Sequence, residues 1–144
     1  MKRHLILLAL LLLLPLTGCN SENDSGLSAS DLQKAQAIAV IASNGSIRQT
    51  ITEQGAIDDF VDVLDIDHWE LADLPADASI IGQFGLSQEK TIHFGEQSND
   101  GKLYDVATIT LYDTPNLRIN LLSFNFDFAI PDSAHEKLAE YLAQ

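Results

Sequence analysis

Apolar residues recur along this chain with two different periods, and the change of period marks out its elements. Ile57, Phe60, Val61 and Leu64 fall at i, i+3, i+4 and i+7, which predicts a helix with one apolar face. Asp58, Asp59, Asp62 and Asp65 take its remaining surface, and Thr52 is placed to cap it. Ala134, Leu138, Tyr141 and Leu142 predict a second such helix from about Ser133, with Ser133 and Glu136 spaced as a capping box. Residues 30–37 predict a short helix capped by Ser30 or Asp31. Between and before these segments the period drops to two. Residues 38–43 and 46–51 flank Asn44-Gly45 and predict a hairpin closed by a two-residue turn. Strands are expected at 79–84, 90–94, 103–112 and 117–128, with turns at 99–101 and around Pro115.

The last hairpin has a register that parity decides. A loop of Asp113, Thr114 and Pro115 pairs Leu111 with Leu117, Ile109 with Ile119 and Ala107 with Leu121, leaving one face wholly apolar. A four-residue loop would mix the faces. The opposite face starts polar at Thr110 and Arg118 but turns apolar toward Phe124, Phe126 and Phe128. A bulge near Leu122 and Ser123 would restore the phase; the alternative is a cover over that end of the second face. Together these elements predict an α+β fold, an antiparallel sheet of about six strands with two main helices packed on one face.

Charge and composition then narrow the classes. The 144 residues are 46% hydrophobic, enough for a core and against disorder. Eight Lys and Arg stand against 21 Asp and Glu, a formal charge of −13, so no basic surface for nucleic acid exists.

The N-terminus carries the most specific signal. Lys2 and Arg3 precede an apolar run from Leu5 to Leu14, which as a helix would rise about 15 Å, half of a ~30 Å hydrocarbon core. That suits a secretory signal rather than a membrane span. Leu16, Thr17, Gly18 and Cys19 follow, and this tetrapeptide resembles the lipobox of bacterial lipoprotein precursors, Thr17 being less usual than Ala or Ser. The resemblance implies diacylglyceryl transfer to the Cys19 sulfur, cleavage between Gly18 and Cys19, and acylation of the new amino group. It divides the chain into a signal peptide (1–18), a lipidated cysteine with a polar tether (19–26) and a single domain (27–144). The body is similar in pattern to small bacterial lipoproteins in which an I-x-x-F-V-x-x-L helix precedes a Trp, here Trp69, a meander and a C-terminal helix. That likeness implies no activity.

Asn20, not Asp, follows the lipid site, which by the family's sorting rule favours the outer membrane, facing the periplasm, if the host has two membranes. Cys19 is the only cysteine, so the domain has no disulfide, thiolate metal site or cysteine nucleophile. Residues 20–26 span at most about 25 Å extended, holding the body near the bilayer without lying in it. Without Lys2 and Arg3 the mature chain keeps six basic and 21 acidic residues, a charge of −15 that is repelled by anionic headgroups.

Candidate chemistry is sparse. Asp58, Asp62 and Asp65 share a helix face and could meet a divalent cation, but helix side chains diverge and a solvated face explains them. His68, His93 and His135 would have to converge to hold zinc. Ser87-x-x-Lys90 matches the Ser-Lys spacing of penicillin-interactive enzymes, which needs a helix, whereas this stretch reads as a turn. Trp69 with Phe124, Phe126 and Phe128 reads as core at the sheet–helix junction or as a ligand surface. Tyr104, Thr108, Thr110 and Tyr112, mixing rings and hydroxyls on one strand face, are the candidate interaction surface. No catalytic residue, metal or cofactor is expected. The function this implies is a lipid-anchored, non-enzymatic binding or assembly module of the cell envelope, with a protein partner there. An envelope hydrolase, or an inhibitor of an extracytoplasmic enzyme, is the alternative. Convergence of His68, His93, His135, Ser87 or the aspartates in one pocket would mark the enzyme.

Overall fold

The apolar stripe of Ile57, Phe60, Val61 and Leu64 is buried along its whole length in a computed structural model that describes residues 27–91, 95 and 100–144. Cys19, with Leu16, Thr17 and Gly18, lies outside the described residues, as do His93 and most of the strand expected at 90–94. The elements in order are α1 (Ala29–Leu32), β1 (Ala37–Ala42), β2 (Ile47–Ile51), α2 (Gln54–Leu64), a 3-10 turn (Ile66–His68) and β3 (Glu70–Leu71). Then come β4 (Ile80–Glu89), β5 (Leu103–Tyr112), β6 (Asn116–Leu121), β7 (Phe124–Ala129) and α3 (Asp132–Ala143). The fold is α+β. Its described strands form one sheet of seven in the order β2-β1-β4-β5-β6-β7-β3, every neighbouring pair antiparallel.

Where the alternating pattern was clean, structure follows it. The β5–β6 register pairs Leu111 with Leu117, Ile109 with Ile119 and Ala107 with Leu121 across a loop of residues 113–115. Four expectations are corrected. The hairpin β1–β2 closes through Ser43, Asn44 and Gly45 rather than two residues, and only Gly45 of these has positive φ, +83°. Asn44 Oδ1 accepts from the Ser46 amide at 3.0 Å, which supplies the loop's geometry from a side chain. Second, the stretch 85–90, expected to turn, continues β4 as far as Glu89 because Gly82, Phe84 and Leu86 alternate inward without a break. Gly82 is there for closeness: a Cβ on it would collide with the Leu142 side chain of α3. Third, residues 117–128 are two strands, not one bulged strand. The chain reverses at Leu122 and Ser123, with Leu121 paired to Phe124. A two-residue reversal restores the phase as a bulge would, placing Phe124, Phe126 and Phe128 on the same face as Leu117, Ile119 and Leu121. The cap of α3 also differs, since Pro131 precedes it and no side chain bonds its first amides.

The core lies between the helices and one face of the sheet. Phe60 packs against Phe84 (centroids 4.9 Å apart) and against Tyr141 (5.3 Å), tying α2, β4 and α3 together. Ile38, Val40, Phe84, Leu86, Ile109, Leu117, Ile119 and Leu138 are fully buried around them. Each such side chain contributes roughly 1.5–3 kcal/mol on burial. Among the described residues, all of this buried cluster lies between Leu32 and Leu142. The helices stop short of β7. That shortfall makes the site.

Candidate functional site

On the helix-covered face of the sheet, exposure rises steadily toward the β7 end. Ile119 is 0% exposed, Phe126 42%, Phe124 66%, Leu71 76% and Leu122 86%. These are large apolar side chains, which a monomeric domain normally keeps scattered or covered.

Two pieces of backbone shape the region. Helix α2 ends at Asp65, which takes the left-handed conformation (φ 52°, ψ 47°) and breaks the helix into the 3-10 turn. The turn carries Trp69 back over the sheet, where its indole N–H donates to the Leu64 carbonyl at 2.6 Å and its ring meets Phe128 at 5.2 Å. Strand β3 then pairs with β7, Glu70 opposite Ala129 and Leu71 opposite Phe128. From the other side, the β6–β7 hairpin projects its tip. Leu122 there has φ +56°, and Ser123 does not share the positive sign. Two-residue hairpins with this pattern favour glycine at the first position. A leucine there costs about 1–3 kcal/mol of backbone strain.

Between these walls lies a cleft of about 530 Å³. Ile66, Trp69 and Leu71 form one wall, and Leu121, Leu122, Phe124 and Phe126 the other. Ile119 and Phe128 of the sheet and Leu27, the first described residue, complete its lining. The volume is that of a small-molecule site, roughly 300–1,000 Å³. Its lining differs from one. Such sites hold a few aimed polar groups, whereas every described lining side chain here is apolar and the Trp69 N–H is already engaged. Among the described residues the cleft offers hydrophobic contact and no group for proton transfer, nucleophilic attack or metal ligation.

The residues with chemistry lie elsewhere. His68 is exposed and its Nδ1 sits 2.6 Å from Asp65 Oδ1, a hydrogen bond that raises the imidazole pKa. His135 Nε2 contacts the Tyr112 carbonyl at 2.7 Å, at the junction of α3 and β5. Ser87, on β4, donates to Asp105 at 2.8 Å. Asp58 accepts from Gln54 at 2.9 Å, and Asp62 is exposed on α2. None of them lines the cleft. Among the described residues no three His, Cys, Asp or Glu are grouped to hold a metal.

The face expected for interaction carries a network of hydrogen bonds. Tyr104 is exposed and its hydroxyl donates to Asp100 at 2.6 Å, Thr108 is half-buried, and Thr110 and Tyr112 are each 7% exposed. Thr110 Oγ1 accepts from Gln83 at 3.1 Å. Its neighbours continue a polar ladder. Arg118 forms a two-pronged pair with Asp127, at 2.6 and 2.9 Å, which holds the Asp127 carboxyl below its ordinary range, and Asn120 donates to Asn125 at 2.6 Å. Hydrogen bonding across strands thus satisfies much of that face internally. The Trp69–Phe124–Phe126–Phe128 group, read from the sequence as core in preference to a ligand surface, lines the open cleft. The missed residues include Leu71, exposed on the edge strand β3, and Leu122, exposed at a reversal that has no glycine or asparagine to announce it.

No protein-family model, no curated protein and no solved structure matches this chain.

Proposed function

We propose that the protein is a lipid-anchored cell-envelope lipoprotein whose domain is a non-enzymatic binding module, and that the apolar cleft is its binding surface. The observation that carries the second part is the cleft's composition: ten apolar side chains converge there, while His68, His135, Ser87 and the α2 aspartates are dispersed. An enzyme would need at least two such groups in one concavity. The first part rests on Leu16, Thr17, Gly18 and Cys19 after a charged, apolar leader. Each methylene of the acyl chains would contribute about 0.8 kcal/mol to membrane partition.

Two measurements test the two parts separately. Mass spectrometry of the native protein should find residue 19 as the acylated N-terminus, and Cys19→Ser should release the protein from the membrane fraction. A neutral solvatochromic dye should bind the purified domain, and Leu71→Ser with Phe126→Ser should abolish that binding. Dye binding that survives both substitutions would remove the cleft from the account.

A further inference from the structure

We infer that the partner of the cleft is the bilayer itself: the β6–β7 tip and the cleft mouth seat in the surface of the membrane that holds the anchor. This rests on the reading of Cys19 as the lipidated residue and identifies what its binding surface takes.

Four observations select a lipid layer over other occupants. Leu27, which lines the cleft, is the eighth residue after Cys19, and eight residues extend at most about 29 Å. The anchor therefore keeps this mouth within reach of the bilayer, where tethering makes even weak contact effective. The tip is also free of charge. From Ile119 to Phe126 the sequence has no Asp, Glu, Lys or Arg, in a chain with 21 acidic residues. An uncharged tip approaches lipid headgroups without the repulsion that the acidic body meets, and the same acidity opposes pairing two copies face to face. Third, the lining has, among the described residues, no free polar side chain to orient a discrete ligand, whereas hydrocarbon requires none. Fourth, Leu122 protrudes at the tip in a backbone conformation that suits glycine. Strain retained at such a place points to use of the side chain. The domain accordingly lies against the bilayer by this end rather than floating at the full length of its tether.

Trp69 is the only tryptophan and lines the cleft, so its emission reports the seat directly. The mature chain, coupled through Cys19 to a maleimide-headgroup phospholipid, is placed on phosphatidylcholine vesicles whose bulk lipids carry brominated acyl chains. Trp69 emission should fall by about half relative to unbrominated vesicles, as contact at the headgroup–acyl boundary requires. Leu122→Ser with Phe124→Ser should restore it, since these exposed side chains are not needed for folding. Equal emission on the two vesicle types would overturn the seat. So would quenching only when the bromines are on the coupled anchor, which would mean that the cleft holds its own lipid. A change that instead follows protein density without bromine would also overturn it, in favour of paired copies. Because coupling is chemical, these outcomes are independent of whether cells acylate Cys19. Finding that residue unmodified in native protein would overturn the anchor, while unquenched emission on an intact tether would overturn the seat alone.

Discussion

The two ends of the sheet are built from the same kind of strand and finished differently. At the β1–β4–β5 end, alternating apolar residues meet α2 and α3, and Phe60, Phe84 and Tyr141 interlock there. At the β7–β3 end the alternation continues through Phe124, Phe126 and Phe128, but no described helix covers it. Pattern alone says that a face is apolar. Whether that face becomes core or site depends on where the helices end. Asp65 and its left-handed turn set that limit on α2, and Trp69 spans only part of the remainder.

Substitution of matched aromatics should give the largest contrast. Phe60→Ala, which empties a fully buried site, should cost about 3–5 kcal/mol in urea unfolding. Phe124→Ala, at 66% exposure, should change stability by only about 0.5 kcal/mol. Similar losses at both positions would erase the distinction between core and cleft.

The Arg118–Asp127 pair on the reverse face offers a smaller test. Both side chains are partly exposed, so solvent screening limits the pair to about 1 kcal/mol despite its two short bonds. Asp127 has a lowered pKa, chiefly through the Arg118 hydrogen bond. Its contribution is present above the ordinary carboxylate pKa and is lost as pH falls through the depressed folded value. Asp127→Asn should remove that portion of the acid-side loss in a stability–pH profile.

Leu122→Gly should act in the opposite direction. Relief of the positive-φ strain, less the added freedom of glycine in the unfolded chain, should stabilise the domain by about 1 kcal/mol while weakening contact at the tip. The smallest effect belongs to His68, raised in pKa by Asp65 and fully exposed. Its contribution is complete below the ordinary histidine pKa and disappears as pH rises through the raised one. His68→Ala should alter thermal stability slightly at acidic pH and not at all at high pH.

The same contrast explains what the sequence made legible. The α2 stripe and the β5–β6 register could be read because burial on one face tolerates only one parity. The reversal at Leu122 could not, because its residues are not those a tight turn selects. Gly85 misled in the other direction: it read as the start of a turn but lies within β4, where Gly82, inside the expected strand, admits α3. The aromatic series was visible, but its role was not, since the place where α2 stops depends on one backbone conformation at Asp65.

Amide hydrogen exchange on the vesicle-tethered protein compares two exposed parts of the sheet in one measurement. Seating predicts that amides at Leu122 and Ser123 exchange more slowly on the bilayer than in solution, while those of the β2 edge at Arg48 and Thr50 keep their solution rates. Unchanged rates at the tip, or equal slowing at both places, would contradict a membrane seat at the open end of the sheet.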